Sequence, residues 1–316
     1  MFPWPYRKYG IVLATEELSS TEVVKTAQKA EAAGLGFAFV SDHFHPWNPN
    51  QGHSSNVWPL LGALAHATEK LGLISAVTCP VFRMHPTTLA QSASTVFHLS
   101  HKRFIVGLGT GEYLNEGVVG TVWPPHAERL ARLEEFVEQT RLLLTGKEIS
   151  VQGKYFQTEQ ATLFDPAQDL PIYFAASGLK TAASADKNAD GLICLGARPE
   201  LAKSCPNHPC LAQISVCWAP DHEQAVKTAH HHFPEVAMPG TLFSRLRTPD
   251  QFAQAARDVT LSDVEASIAC GPDPKPYQTA IAECFQAGFH AVALHQIGPD
   301  QDGFLRFWQE ELDPER

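Results

Sequence analysis

Short apolar runs alternate with amphipathic stretches along most of the chain. The apolar runs are rich in β-branched and aromatic residues and are bounded by Gly, Pro or polar residues, which is typical of strands buried in a parallel sheet. Eight such runs occur, and they predict strands at Gly10–Ala14, Phe37–Val40, Leu71–Val77, Phe104–Gly109, Pro171–Ala176, 190–196, Leu211–Ala219 and His290–Gln296.

The stretches between the runs keep the 3.6-residue spacing of a helix. In the longest of them, Leu133, Val137 and Leu144 fall on one face. A segment around Gly153 predicts a hairpin inserted before the fifth strand. The helical spacing predicts helices beginning near Ser20 and over Asn56–Thr68, Pro86–Leu99, His126–Leu144, Leu179–Asn188 and His222–His232.

This alternation predicts an α/β fold, a (β/α)8 TIM-type barrel with insertions, rather than two doubly wound domains. The 316 residues contain no linker rich in Ser, Gly or Pro, and the two halves do not differ in composition. We therefore expect residues 1–316 to form a single barrel domain. In such barrels the loops after the strands hold the active site, so polar residues at strand ends become the candidates.

Composition narrows the possible partners. The 24 Lys and Arg face 34 Asp and Glu, a net charge of -10, so the clustered cations that nucleic acid requires are not expected. No apolar stretch reaches the roughly 18 residues that cross a membrane, and no signal peptide is evident. The seven cysteines are scattered, and the pair Cys205 and Cys210 lacks a second ligand pair for a metal. We expect a cytoplasmic protein that binds a small molecule and no metal.

The second strand ends in SDHFHPW, which places Asp42, His43 and Trp47 at the barrel mouth. Imidazole is the side chain that titrates near neutral pH, so His43 is suited to proton transfer. His45 shares the loop and is a weaker candidate. The alternative is that His43 is a buried, hydrogen-bonded histidine and that Trp47 belongs to the core.

The fourth strand ends in GLGTGEYLN. Glycines such as Gly109 allow close approach of a flat ligand, while Glu112 and Asn115 supply an acid and an amide at the same mouth. The spacing is not that of a dinucleotide-binding fingerprint. The alternative is a tight turn with a solvated Glu.

The fifth strand leads through Ala176, Ser177 and Gly178 into a helix. Backbone N–H groups at a helix N-terminus bind phosphate, although an ordinary helix start explains these small residues equally well. The chain contains neither a GxSxG elbow nor a GxxxxGK[ST] phosphate loop, which argues against serine hydrolases and P-loop enzymes.

Together, SDHFHPW, TCPVFRMHPTTLAQSAST, GLGTGEYLNE, WPPHAERLARLEE, PIYFAASG and NADGLICLG resemble, in order and spacing, the bacterial luciferase-like flavin and deazaflavin oxidoreductases. The resemblance is greatest to the branch of the coenzyme F420-dependent glucose-6-phosphate dehydrogenases. It implies a luciferase-like barrel, usually a homodimer, that holds an isoalloxazine-like ring at its carboxyl face.

The resemblance also implies roles for individual residues. His43 would take a proton from a substrate hydroxyl, Glu112 would act as an acid or stabilise charge, and Trp47 would contact the substrate. A cis peptide bond is expected between Ala76 and Val77. The implied cofactor contacts are Asp42, Ala76, Val77, Thr78, Cys79, Gly109, Asn115, and, for the phosphate, Ala176, Ser177 and Gly178.

The phosphate-gripping residues of the sugar-phosphate dehydrogenases are mostly missing. Leu195 stands where that branch has a Thr, and Arg198 alone stands near the position of a Lys, so Arg198 is the one candidate cation for the substrate. Later positions of that set fall on Gln254 and Ala266–Ser267. A sugar phosphate is therefore not the expected substrate.

Two chemistries follow from the resemblance. In the first, F420 exchanges a hydride with a small organic substrate. In the second, FMN, reduced by a partner flavin reductase, reacts with oxygen in a luciferase-like monooxygenase or reductase. A barrel that binds flavin without turnover is disfavoured by the intact His, Trp and Glu set.

Overall fold

The predicted alternation is present in a computed structural model, which describes residues 5–314. The strands are β1 (Tyr9–Leu13), β2 (Phe37–Val40), β3 (Gly72–Thr78), β4 (Phe104–Leu108), β5 (Ile149–Gln152), β6 (Gln157–Ala161), β7 (Ile172–Ala175), β8 (Gly191–Leu195), β9 (Cys210–Cys217), β10 (Ala269–Cys270) and β11 (Ala291–Gln296). The helices are α1 (Ser20–Ala32), α2 (Val57–Ala67), α3 (Pro80–Arg83), α4 (Pro86–Leu99), α5 (Tyr113–Glu116), α6 (His126–Leu144), α7 (Leu179–Asn188), α8 (Pro199–Ala202), α9 (His222–His232), α10 (Pro249–Ala255), α11 (Leu261–Ser267), α12 (Pro274–Gln286) and α13 (Gln301–Phe307).

Eight parallel strands close into a barrel. The neighbours follow the order β1, β2, β3, β4, β7, β8, β9 and β11, and β11 pairs again with β1. The short β10 adds to the outer edge of β9, and β5 and β6 form the separate antiparallel hairpin expected around Gly153. The (β/α)8 fold class is thereby confirmed. No helix within residues 5–314 has the length and apolar character needed to span a membrane.

The helix predictions agree with the structure where the apolar face is continuous. The predicted bounds of α4, α6, α7 and α9 match at both ends. The sequence did not predict α3, α5, α8 or α10 to α13, and β9 ends at Cys217 rather than at Ala219. Of these helices, α3, α5 and α8 have four residues each and α10, α11 and α13 have seven each, too few for a repeating apolar face.

The barrel has an inner and an outer core. The outer core lies between the strands and the surrounding helices. Because strand side chains alternate between faces, every second residue points into the barrel. The inner core consists of Val12, Phe37, Phe39, Ile74, Ile105, Tyr173, Ile193, Leu211, Ala291 and Ala293. The next inward positions along each strand form the carboxyl mouth, where the predicted site residues lie.

Candidate active site

The mouth has one side of small residues and one side of polar residues. On the small side, the neighbouring strands β3, β4 and β7 lead to Ala76, Gly109 and Ala175. The polar side carries Ser41 from the end of β2, Ser215 from β9 and His295 from β11. Small side chains leave space for a flat group, and polar ones supply hydrogen bonds to a reacting molecule. The mouth therefore suits a planar cofactor beside a substrate.

His43 lies between groups from three different loops. Its Nε2 is 3.4 Å from Oε1 of Glu16. Its Nδ1 is 3.1 Å from the amide nitrogen of Asn115, which is a donor, and 3.2 Å from the carbonyl oxygen of His45, which is an acceptor. Nδ1 therefore has a partner whether or not it carries a proton. His43 has the surroundings of a group that changes its protonation state.

Asn115 is oriented by the loop that carries His43. Its Oδ1 accepts hydrogen bonds from the backbone N–H groups of Phe44, at 2.9 Å, and His45, at 3.1 Å. These two donors fix the amide so that its nitrogen faces His43. His45 itself places Nδ1 3.0 Å from the carbonyl oxygen of Leu114, so it braces the same two loops. The buried Asn115 therefore joins the ends of β2 and β4.

Glu16 was not recognised in the sequence. It follows β1, is 4% exposed, and directs Oε1 at His43. Its other oxygen accepts hydrogen bonds from the hydroxyls of Ser41 and Thr15. The available signal was the pair of acids in LATEELSS directly after the first strand. A carboxylate that accepts from an imidazole N–H stabilises the imidazolium form, so Glu16 assists proton transfer at His43.

Trp47 forms one wall of the mouth. Its ring lies 4.8 Å from that of His43, 4.9 Å from that of Phe243 and 5.3 Å from that of Phe252, measured between centroids. These aromatic contacts and the half-buried position show that Trp47 has a packing role. The same ring borders the space beside His43. The packing role of Trp47 is therefore present in the structure, and its contact with the substrate stays a prediction.

Asp42 belongs to a network of charged groups at the ends of β2, β3 and β4. Nη2 of Arg83 donates to Oδ1 of Asp42 at 3.0 Å, and Nε of Arg83 lies 3.4 Å from Oε1 of Glu116. The backbone N–H of Glu112 donates to the other Glu116 oxygen at 2.5 Å. Arg83 thus holds Asp42 and Glu116 together and was not recognised in the sequence.

Glu112 has no cation of its own. Burial, together with the nearby carboxylates of Glu116 and Glu16, raises the pKa of Glu112 to about 8. Burial also raises the pKa of Glu116 to about 8, although Arg83 and the N–H of Glu112 oppose that effect. Because the charge of Glu116 is partly balanced, Glu112 is the acid that keeps its proton at neutral pH. It is suited to donate a hydrogen bond.

The predicted cofactor wall lies along β3 and β4. The bond between Ala76 and Val77 is cis, as the resemblance implied. Thr78 is 2% exposed, and its hydroxyl has no hydrogen-bond partner. A Cβ on Gly109 would lie 2.9 Å from Sγ of Cys79, so the strands approach each other closely there. Burial raises the pKa of the Cys79 thiol, which remains uncharged.

The predicted phosphate site needs one correction. The N–H of Ala176 donates to the carbonyl oxygen of Ile193 at 2.9 Å, so the barrel uses this group and Ala176 was wrongly included as a phosphate donor. Ser177 and Gly178 are exposed at the start of α7, and a Cβ on Gly178 would meet no atom within 4 Å. Both residues stay candidates for the phosphate site.

Arg198 is already paired. Its Nε donates to Oε1 of Glu200 at 2.5 Å, and both side chains are largely exposed. Leu195, which replaces the expected Thr, is 67% exposed beside it. This part of the mouth presents an apolar side chain and a neutralised cation.

Comparisons with known proteins agree with this geometry. A model of the luciferase-like monooxygenase family matches residues 8–291. The F420-dependent glucose-6-phosphate dehydrogenase of Microbacterium testaceum is 30% identical over 97% of this chain and 96% of its own length.

Two solved structures are also similar. An F420-dependent secondary alcohol dehydrogenase in complex with an F420-acetone adduct has a TM-score of 0.88 at 25% identity, covering 96% of this chain and 97% of that one. The F420-dependent tetrahydromethanopterin reductase of Methanopyrus kandleri has a TM-score of 0.76 at 22% identity, covering 97% and 98%, and supports the fold alone. The predicted barrel and the oxidoreductase class are confirmed.

Proposed function

This chain belongs to the family of luciferase-like monooxygenases, and from that premise we propose that it is an F420-dependent dehydrogenase of a small, uncharged alcohol. The same enzyme would reduce the corresponding carbonyl compound. The observation that carries the proposal is the position of His43, held by Glu16 and Asn115 between the small and polar sides of the mouth.

The residues at the mouth fit a deazaflavin. F420 supplies a ring carbon that exchanges a hydride with substrate carbon. Ala76, Val77 and Gly109 would lie against that ring, and the unpartnered, buried hydroxyl of Thr78 would find its hydrogen-bond partner there. The exposed amides of Ser177 and Gly178 would bind a phosphate of the cofactor's side chain. Names of the relatives and of the alcohol dehydrogenase support the choice of F420.

The protein's own contribution to the reaction is proton transfer. With Nδ1–H directed to the carbonyl oxygen of His45, the lone pair of Nε2 of His43 would accept the substrate hydroxyl proton. Oε1 of Glu16, 3.4 Å from Nε2, would stabilise the imidazolium that forms by charge attraction. Glu112, protonated at neutral pH, offers a hydrogen-bond donor on the opposite side of the mouth. Trp47 and its aromatic neighbours exclude water from this space.

We infer that the substrate is not a sugar phosphate, in contrast to the substrate named for the relatives. A phosphate dianion requires unpaired cations, and Arg198 is neutralised by Glu200. Leu195 adds no hydrogen bond. The carboxylate of Glu16 would repel an anion in the mouth.

The first test measures cofactor binding. We expect the protein to change the fluorescence of F420 with low-micromolar affinity and to bind FMN more weakly. Gly109→Ala forces Cys79 and Val77 apart, so it should weaken F420 binding at least about tenfold. Gly62→Ala, at a helix position where a Cβ meets nothing within 4 Å, is the matched control. Tighter binding of FMN than of F420 would overturn the proposal. It would favour the alternative, an FMN-dependent monooxygenase that works with a partner flavin reductase.

The second test measures substrate choice. With F420, a panel of secondary alcohols should be oxidised in preference to glucose 6-phosphate. Preference for the sugar phosphate would overturn the inference from Arg198 and Leu195, but not the F420 proposal.

A further inference from the structure

A second Glu–His pair lies beside the first one. Nε2 of His295 is 2.8 Å from Oε1 of Glu17, and both side chains are at most 7% exposed. The other oxygen of Glu17 accepts from the N–H of Gly298 at 2.8 Å. On its opposite side, Nδ1 of His295 is 3.4 Å from Oγ of Ser215. The three side chains therefore form a chain that ends at a half-buried hydroxyl.

The sheet register fixes this arrangement. Ser215 of β9 and His295 of β11 are paired residues in neighbouring parallel strands, so their side chains project from the same face. That face is the inner one, because Leu211, Ala291 and Ala293 on the same strands belong to the inner core. The series of hydrogen bonds from Glu17 through His295 to Ser215 thus ends in the mouth, on its polar side.

The direction of the hydrogen bonds follows from the charges. Carboxylate oxygens only accept, so Nε2 of His295 donates to Glu17. Burial lowers the pKa of His295, but the carboxylates of Glu17 and Glu16 raise it, and the net direction is upward. The 2.8 Å contact between Nε2 and Glu17 favours the imidazolium form, in which Nδ1 also donates, towards Oγ of Ser215. The other titratable groups near Glu17 are His232 of α9, whose pKa burial lowers, Glu235, whose pKa burial raises to about 6, and Cys217 of β9, whose pKa burial raises.

A Ser, His and Glu in contact also form the triad of serine hydrolases. In that triad the imidazole must be neutral to take the serine proton. A protonated His295 has no lone pair for this purpose. In the imidazolium form the oxygen of Ser215 accepts from Nδ1 of His295, and the hydroxyl hydrogen is left to point away as a donor.

We propose that Ser215, oriented by His295 and Glu17, is a positioning residue that donates a hydrogen bond to a second oxygen of the substrate. This inference rests on the proposed function and specifies its substrate class as an uncharged vicinal diol or hydroxyketone. One oxygen would meet His43 and the other would meet Ser215, on the same polar side of the mouth. The nearby carboxylate of Glu16 disfavours an anionic second group.

The test compares two ligands that differ by one hydroxyl, propylene glycol and isopropanol. Their binding to the purified protein with F420 present is measured by calorimetry or ligand-observed NMR, and turnover is measured separately. Ser215→Ala should weaken binding of the diol about tenfold and leave isopropanol unchanged, since one hydrogen bond is lost. Ser215→Thr, which keeps a hydroxyl, should restore diol binding.

The outcomes separate this inference from the proposed function. Equal effects of Ser215→Ala on both ligands, or no effect on the diol, would overturn the role of Ser215. If the wild-type protein turns over none of the alcohols, the proposed function is overturned. The binding comparison then still decides whether Ser215 has the role inferred here.

The orientation is tested without ligand. In a protein labelled at histidine, NMR should show His295 protonated at a pH where a free imidazole is neutral, and Glu17→Gln should abolish this. A neutral His295 in the wild type would contradict the donor chain, whatever the variants do.

Discussion

Two consecutive residues, Glu16 and Glu17, each hold a histidine at the barrel mouth, but the two pairs differ in geometry. His43 follows the end of β2 in a loop, and its Nε2 lies 3.4 Å from Glu16. His295 is part of β11, and its Nε2 lies 2.8 Å from Glu17. The contact of the loop histidine is thus longer than that of the histidine fixed in the sheet.

The remaining partners make the difference larger. Nδ1 of His43 faces both a donor, from Asn115, and an acceptor, from His45, so either protonation state is satisfied. Nδ1 of His295 faces a hydroxyl. The same two residue types therefore give one group that reacts and one that positions. The predictions below separate these roles.

The largest effect is expected from His43→Ala. Loss of a general base lowers kcat by about 10²- to 10⁴-fold. Steady-state kinetics with F420 and a secondary alcohol measure this, and fluorescence titration should show F420 affinity nearly unchanged. If cofactor binding is lost instead, His43 has a structural role.

Glu16→Gln should lower kcat by about 10- to 100-fold, the range found for residues that orient a functional imidazole. The amide keeps the shape but does not stabilise an imidazolium. Glu17→Gln is the matched control, because it changes the neighbouring residue and the other pair. A similar loss of kcat for isopropanol in both variants would show that the two pairs act as one unit.

Glu17→Gln should instead reduce stability, by about 1.5 kcal/mol, because a hydrogen bond between two charged groups is lost. The folded pKa of His295 is raised above its ordinary value of 6.5, so the pair contributes fully below that pH. Its contribution is lost as pH rises through the folded pKa. Urea unfolding should therefore show a larger deficit for the variant at pH 6 than at pH 9. A deficit that grows with pH would contradict the assignment.

Glu112 is another acidic residue of the mouth, and neither of the two histidines is its partner. Because its folded pKa is raised to about 8, the folded state keeps a proton that the unfolded state releases, and stability falls as pH rises from about 4.5 towards 8. Glu112→Gln removes this decline and should raise Tm by a few degrees at pH 8, with a smaller gain at pH 5. Equal gains at both values would point to packing instead of ionisation.

The barrel could be predicted because its strands and longer helices carry their own patterns. The run Phe37–Val40 is apolar throughout because both faces of a barrel strand are buried. The 19 residues of α6 repeat an apolar face often enough to fix both ends. The short α10 and α11 and the two-residue β10 have no such repeat, and tertiary contacts determine them.

Part of the site could be predicted for a similar reason. His43, Glu112 and Asn115 lie in compact motifs directly after strands, and parallel strands bring such ends to one edge. Arg83 lies in the short α3 within FRMHP, where nothing marks it as a partner of Asp42. Ala176 was misjudged because the sequence does not show that its N–H completes the sheet.

The sequence by itself determined the fold class, the order of elements and the loops that carry the chemistry, because hydrophobic periodicity and strand-end motifs are local properties. Tertiary structure decided which acid meets which histidine. Glu16 and His43 are 27 positions apart and Glu17 and His295 are 278 apart, and only the register of the closed barrel brings them together. Distance, burial and the available partners are the basis on which we propose that one histidine acts as a base and the other as a donor.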